Sequence, residues 1–206
     1  MKEPFIQPLF STPVYLTELN RKFTKKENSL VSKIKNECIR NTGNTRSKDP
    51  HILNHKNFCT LKKELNLIIN DYFNRIISPA DKITPYITQS WLNYTTNNQY
   101  HHKHNHPNSL ISGIIYMDAD IATDSIKFYR HRQDAIVIPS PNNYNPFNAD
   151  FWWFAVKTGQ IMLFPSSLHH SVAAKQGHNT RVSLSFNVFI KGTVGSSDNL
   201  NSLTLY

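Results

Sequence analysis

The sequence is short of the residues that staple or hinge a fold. Its 206 residues hold only two cysteines, Cys38 and Cys59, and six glycines. Two cysteines with neither metal-site nor redox spacing exclude a disulfide framework and suit a reducing compartment. Acidic residues number 14 against 23 lysines and arginines, a formal charge of +9 with the histidines neutral. No apolar run approaches the ~20 residues a membrane-spanning helix requires, so no membrane partner is expected. The opening MKEPFIQPLF carries prolines at positions 4 and 8 and no apolar core, and does not read as a secretion signal. The expectation is a soluble cytoplasmic protein, in the host cytoplasm if the chain is viral.

What is present is a basic, aromatic-rich chain of single-domain length, able to bury a sizeable core. The reading is one domain over 1–206: an N-terminal strand with helical support over about 1–84, a β core over about 85–191, and a polar tail over 192–206. The pI near 9.5 is compatible with a nucleic-acid or acidic partner. The lysines cluster in Lys22–Lys35 and Lys56–Lys63, on expected helices, so a solvated basic surface accounts for them and nucleic acid is the weaker reading. The oligomeric state is left open, a homodimer included.

Phe5–Leu19 alternates apolar and polar residues between prolines and reads as one or two edge strands, since proline cannot donate to a ladder. Thr24 stands three residues before Glu27, a capping box, and Leu30, Val31, Ile34 and Cys38 follow at helical spacing toward an end near Asn41–Gly43. Asn44–Asn57 reads as a loop whose His51 and His55 are surface residues. A second helix is expected over Leu61–Ile77, with Leu61, Leu65, Ile68, Tyr72 and Ile76 on one face and Ser78–Pro79 as its stop. From Pro85 the period becomes two. Ile87–Thr95, Leu110–Met117, Ser125–Arg130, Ala135–Ile138, Asp150–Lys157, Gln160–Phe164, Ser171–Ala174 and Arg181–Ile190 read as short strands, and Pro139–Ala149 as a polar loop or lid. Two helices followed by many strands predict an α+β, mainly β fold: a sandwich or jelly-roll barrel with both helices on one sheet.

Histidines concentrate before one of these strands. Four of the chain's ten, His101, His102, His104 and His106, fall within Tyr100–His106. Residues two apart on extended chain face one side, so His104 and His106 form an H-x-H chelate, with His102 and His104 as the alternative register. Against this stands a solvent-exposed loop that happens to be rich in histidine. A second pair, His169 and His170, ends the apolar stretch LFPSSL. Eleven residues beyond His170, Arg181 opens RVSLSFNVF, whose Arg181, Ser183, Ser185 and Asn187 share one face. A buried arginine on a polar face suits a carboxylate or phosphate held bidentately, whereas a rim arginine would simply face water.

The motifs LFSTPVY, SWLNYT, HNHPNSLISGIIYM, LFPSSLHHSV and RVSLSFN together resemble the iron(II)- and 2-oxoglutarate-dependent oxygenases. The resemblance is closest to a small prolyl-4-hydroxylase-like branch common in phages and marine bacteria, and it spans nearly the whole chain. It implies a double-stranded β-helix, Fe(II) and 2-oxoglutarate as cofactors, oxygen as co-reactant, and hydroxylation of an unidentified peptide side chain or small molecule. It puts His104 and His106 in the H-x-D positions, His170 at the distal position and Arg181 as the 2-oxoglutarate anchor. Tyr116 falls where a tyrosine meets the same distal carboxylate, and Asn93 beside the cosubstrate; Trp91 is expected in the core. One departure is His106 in place of a carboxylate, which removes a negative charge. Asp118 and Asp120 lie too far along the strand to replace it.

Three rivals remain. A cupin would be a three-histidine metalloenzyme without 2-oxoglutarate. Gly159, Pro165 and His170 fit its second motif, but Ser167 and Ala174 depart from it and no glutamate follows His106 at the required distance. A zinc hydrolase or lyase would activate a bound water. A non-catalytic β-sandwich binding module would carry the histidines as decoration. Arg181 and Tyr116 discriminate against the cupin, which gives them no assigned duty; metal analysis separates the other two. Tyr144, Phe151, Trp152 and Trp153 are read either as the substrate entrance or as core.

Overall fold

The computed structural model describes residues 4–80, 82–131 and 142–206. The chain enters through β1 (Tyr15–Glu18) and α1 (Lys25–Lys35), then a two-strand hairpin of β2 (Ile39–Arg40) and β3 (Thr45–Arg46), then α2 (Cys59–Tyr72). The remainder is β4 (Thr84–Thr95), β5 (His101–His104), β6 (Ile111–Asp118), β7 (Ser125–Tyr129), β8 (Phe151–Ala155), β9 (Gln160–Pro165), β10 (His170–Val172), β11 (Arg181–Val194) and β12 (Leu203–Leu205). The strand expected over Ala135–Ile138, and the start of the loop expected from Pro139, lie outside the described residues.

The strands form two antiparallel sheets. The major sheet runs β1-β9-β6-β11-β4-β3-β2, with β12 paired to the far end of β11; the minor sheet runs β5-β10-β7-β8. They do not close into a barrel. They face one another as a jelly-roll sandwich, with Tyr116, Met162 and Phe164 of the major sheet packed on Ile126 and Phe128 of the minor one. The other face of the major sheet presents Leu92, Ile115, Leu163, Leu184 and Phe186 to Leu61, Leu65 and Ile69 of α2. Both helices thus cover one sheet, as expected. The alternation of side chains along a strand is what allows one sheet to serve two interiors.

Local chemistry explains the helix ends. Thr24 and Glu27 form the reciprocal capping box, the Thr24 hydroxyl accepting from the Glu27 N–H and the Glu27 carboxylate from the Thr24 N–H. Arg21 then ties both helices together through Glu27 (2.8 Å) and Glu64 (2.6 Å). The first helix stops at Asn36, earlier than Asn41–Gly43, because the chain turns there into the β2–β3 hairpin. The second buries Ile69 more deeply than Ile68, and a π-helical turn over Phe73–Ile77 rotates Ile76 outward to 44% exposure. One extra residue per turn shifts every later side chain around the axis. Ser78, at φ 45, ends the element.

Candidate metal and cosubstrate site

The histidine-rich stretch is itself a strand. β5 pairs with β10 so that His104 lies directly opposite His170, with a register shift between that pair and Val172 opposite His101. The start of β5 is pinned by Gly43, whose carbonyl accepts the Tyr100 N–H at 3.0 Å. A side chain at Gly43 would collide with the Tyr100 carbonyl, and its φ of +85 is one that glycine adopts freely. His106 is held by its N–H donating to the Ser166 carbonyl at 3.0 Å. The outcome is a ring of imidazoles. One nitrogen from each of His104, His106 and His170 lies within 4.8 Å of the others. The rings of His104 and His170 are 4.3 Å apart, and those of His106 and His170 are 5.2 Å apart and nearly parallel.

Protonation state and tautomer both favour ligation. Burial, together with neighbouring imidazoles, pushes His106 down to about 4 and His170 well below the ordinary histidine range; burial also lowers His104. Neutral imidazole is the form with a lone pair to give. His104 Nδ1 lies 2.8 Å from the His102 carbonyl and His170 Nδ1 lies 3.1 Å from the Leu168 carbonyl. A carbonyl only accepts, so each Nδ1 carries the proton and each Nε2 is left as the donor atom for a metal. This is the arrangement by which protein groups orient metal-ligating histidines.

On the opposing sheet the polar faces of three strands form the floor. Arg181 pairs in register with Thr95, Ser183 with Asn93 and with Tyr116, and Ser185 with Trp91. Arg181 is 4% exposed and donates from Nη2 to Thr95 Oγ1 at 3.1 Å. Burial lowers the Arg181 pKa, opposed by Tyr116 and Asp124 nearby. The Tyr116 hydroxyl and Asn93 Oδ1 are buried without a hydrogen-bond partner among the described residues. Burial pushes the Tyr116 hydroxyl above its ordinary range, so it remains a donor at neutral pH. An unpaired hydroxyl beside a buried guanidinium fits a missing carboxylate, since leaving such groups unmet costs roughly 1–3 kcal/mol each. Asn93 Nδ2 donates to Ser185 Oγ at 3.1 Å. The hydroxyl can also donate, so a flipped amide keeps that bond and turns its NH2 toward the cavity.

The structure therefore gathers His104, His106, His170, Asn93, Tyr116 and Arg181 around one cavity. His102 is exposed and stands outside the imidazole group, against the His102/His104 register. Its ring lies 5.0 Å from that of His104; His101 lies closer, at 4.3 Å, and burial pushes it down to about 3. A strict two-residue alternation missed His101 because the register shift in β5–β10 breaks it. Trp91 is not a core residue: it is half-buried, stacked on His106 at 5.6 Å, and lines the cavity. Thr95, Asp124 and Lys175 were also missed. Thr95 follows Asn93 by two on the same strand face, whereas nothing local marks the other two. Phe151, Trp152 and Trp153 lie on the edge strand β8 and are 44%, 41% and 56% exposed, and Tyr144 is 67% exposed. They are neither core nor lining of this cavity. Asp118 and Asp120 are exposed, and Asp120 caps a turn by accepting the Ala122 N–H. Among the described residues, no helix is long and apolar enough to cross a membrane.

A family model described as "Putative 2OG-Fe(II) oxygenase" matches residues 89–187, the segment from β4 to β11 that carries every one of these groups. Over that segment, just under half of the chain, the sequence matches the 2OG-Fe(II) oxygenase family, whose enzymes depend on Fe(II) and 2-oxoglutarate. No curated protein matches it in sequence. Among solved structures it is similar to a 2OG-Fe(II) oxygenase family oxidoreductase from Burkholderia pseudomallei (TM-score 0.53, 12% identity, 84% of this chain and 83% of that one). It is also similar to HygX from Streptomyces hygroscopicus, crystallised with nickel, 2-oxoglutarate and hygromycin B (TM-score 0.58, 10% identity, 86% and 82%). A third likeness is to the viral collagen prolyl hydroxylase of Paramecium Bursaria Chlorella virus-1, in complex with 2OG (TM-score 0.51, 12% identity, 85% and 94%). At such identities the likeness establishes the fold.

Proposed function

We propose that His104, His106 and His170 hold Fe(II), that Arg181 and Tyr116 receive the distal carboxylate of 2-oxoglutarate, and that Asn93 contacts the cosubstrate. The single observation that carries this reading is the pairing, across one cavity, of three clustered imidazoles, two of them presenting Nε2, with a buried guanidinium and a tyrosine hydroxyl that has no partner among the described residues. When bound, iron and 2-oxoglutarate would supply an oxidation by dioxygen in which one oxygen atom enters the succinate formed from 2-oxoglutarate with loss of CO2 and the other enters a substrate C–H bond. The protein's own part is to hold three lone pairs at one point, fix the dicarboxylate by its far end and exclude water. Three neutral ligands leave the ion's two charges uncompensated, which a dianionic cosubstrate balances. His106 in place of a carboxylate thus strengthens the demand for an anionic partner.

The prime substrate would approach through a neighbouring cleft of about 380 Å3 lined by Asn41, Arg46, Gln89, Trp91, His106 and Asn187. Among the described residues no carboxylate lines it, so a neutral or anionic polar group fits it better than a cation. A cupin-like or zinc-hydrolase reading uses the imidazoles but leaves Arg181 and Tyr116 without a task. The test is an anaerobic titration of the Fe(II)-loaded protein with 2-oxoglutarate, followed by the weak visible charge-transfer band of the chelate. We expect the band to form, and Arg181→Ala to weaken 2-oxoglutarate binding ~100-fold, about 2.7 kcal/mol. No band, or a band indifferent to Arg181→Ala, favours the rivals.

A further inference from the structure

Beside Arg181, outside the lining of the cavity, lies a second charged pair. Lys175 Nζ is 3.1 Å from Asp124 Oδ1, and both side chains are 0% exposed. Arg181 Nη1 stands 3.8 Å from the same Asp124 oxygen. Neither Asp124 nor Lys175 lines the cavity. Both are fixed in place: Asp124 Oδ2 accepts the Asp120 N–H at 2.9 Å, and Lys175 Nζ donates to the Gln176 carbonyl at 3.1 Å and to Thr123 Oγ1 at 3.4 Å. The Lys175 backbone bonds to Gln99 and Asn98, in the turn that leaves β4 just beyond Thr95.

Counted as formal charges, two buried cations share one carboxylate, and the cluster carries an excess of +1. Burying an unpaired charge is strongly unfavourable, and a second carboxylate entering from the cavity removes the excess. Were Lys175 uncharged, Asp124 alone would satisfy Arg181, and an incoming carboxylate would bring an excess of negative charge instead. We propose that Lys175 is a positioning residue for the cosubstrate: by engaging Asp124, it leaves the Arg181 charge available to one carboxylate of 2-oxoglutarate. This rests on the oxygenase reading of the same site.

The test measures the 2-oxoglutarate dissociation constant of the Fe(II)-loaded protein under anaerobic conditions, with Fe(II) binding and circular dichroism as checks on folding. Lys175→Met is expected to raise the constant ~10-fold or more, within the range of couplings between groups that share an equilibrium. Lys175→Arg, which keeps the charge, stays within about threefold of the wild type, the error of such titrations being well under the tenfold step of 1.4 kcal/mol. The double variant Asp124→Asn/Lys175→Met, which restores the +1, recovers to the same range. Should Lys175→Met not fold, Lys175→Gln keeps a polar head for Thr123 and Gln176 and is expected to show the same loss. An unchanged constant in the neutral variant, or a double variant as weak as the single, overturns the inference and leaves Lys175 a purely structural residue. Arg181→Ala run alongside separates the two levels: if it does not weaken binding, the anchor itself is misassigned.

Discussion

The two faces of β11 are equally hidden from water and do opposite things. Val182, Leu184, Phe186 and Val188 face the helices and close against aliphatic and aromatic carbon. Arg181 and Ser183 are also buried, yet face the other sheet across a cavity whose walls include a tyrosine hydroxyl unpaired among the described residues, and buried Asn187 lines the neighbouring cleft. Burial alone therefore does not separate core from site. What separates them is whether the polar groups find partners within the protein. On the helix side the buried side chains of this strand are carbon; between the sheets the Tyr116 hydroxyl and Asn93 Oδ1 have no hydrogen-bond partner among the described residues.

Several substitutions sharpen this contrast. The largest effect is expected at Gly113 on β6, directly opposite Phe186, where any Cβ would collide with the Phe186 ring and with Leu163. Gly113→Val should cost more than about 4 kcal/mol, enough to prevent accumulation of folded protein, as judged by solubility and near-UV circular dichroism. Leu184→Ala, on the helix side, should cost about 3 kcal/mol in urea unfolding while leaving the 2-oxoglutarate affinity of the folded protein unchanged. An affinity loss matching the stability loss would show that the two faces are not independent. The smallest effect is the acid response of the helix layer. Burial pushes the Glu27 carboxyl up, but hydrogen bonds from Arg21 and Thr24 outweigh it and hold its pKa below the ordinary value. A group lowered on folding stabilises fully above its unfolded pKa of about 4.5 and loses that contribution as pH falls through the folded value. The urea midpoint should therefore drop below pH 4.5 in the wild type, and Glu27→Gln should flatten that part of the profile. An unchanged slope would remove Glu27 from the account.

Much of the site was legible because its residues sit on strands, where period two reveals a face. RVSLSFN announces one polar and one apolar side, and SWLNYT its partner. The legibility failed wherever register or long-range pairing intervened. His101 turned inward because β5 slips against β10, Trp91 left the core because its face of β4 is the cavity floor, and the exposed aromatics of β8 follow from its place at a sheet edge. Asp124 and Lys175 are 51 residues apart and carry no local signal of their meeting.

By itself the sequence determined which residue types are available and how they alternate: histidines at a strand's mouth, an arginine on a polar strand face, and helices with one apolar stripe. These are properties of neighbours along the chain, set by side-chain chemistry and backbone period. Only the tertiary structure decided which histidines converge, that the polar face of β11 looks inward between two sheets, and that Arg181 has a buried counter-charge beside it. Those are consequences of pairing between distant segments, where strand register and desolvation, not local propensity, choose the partners.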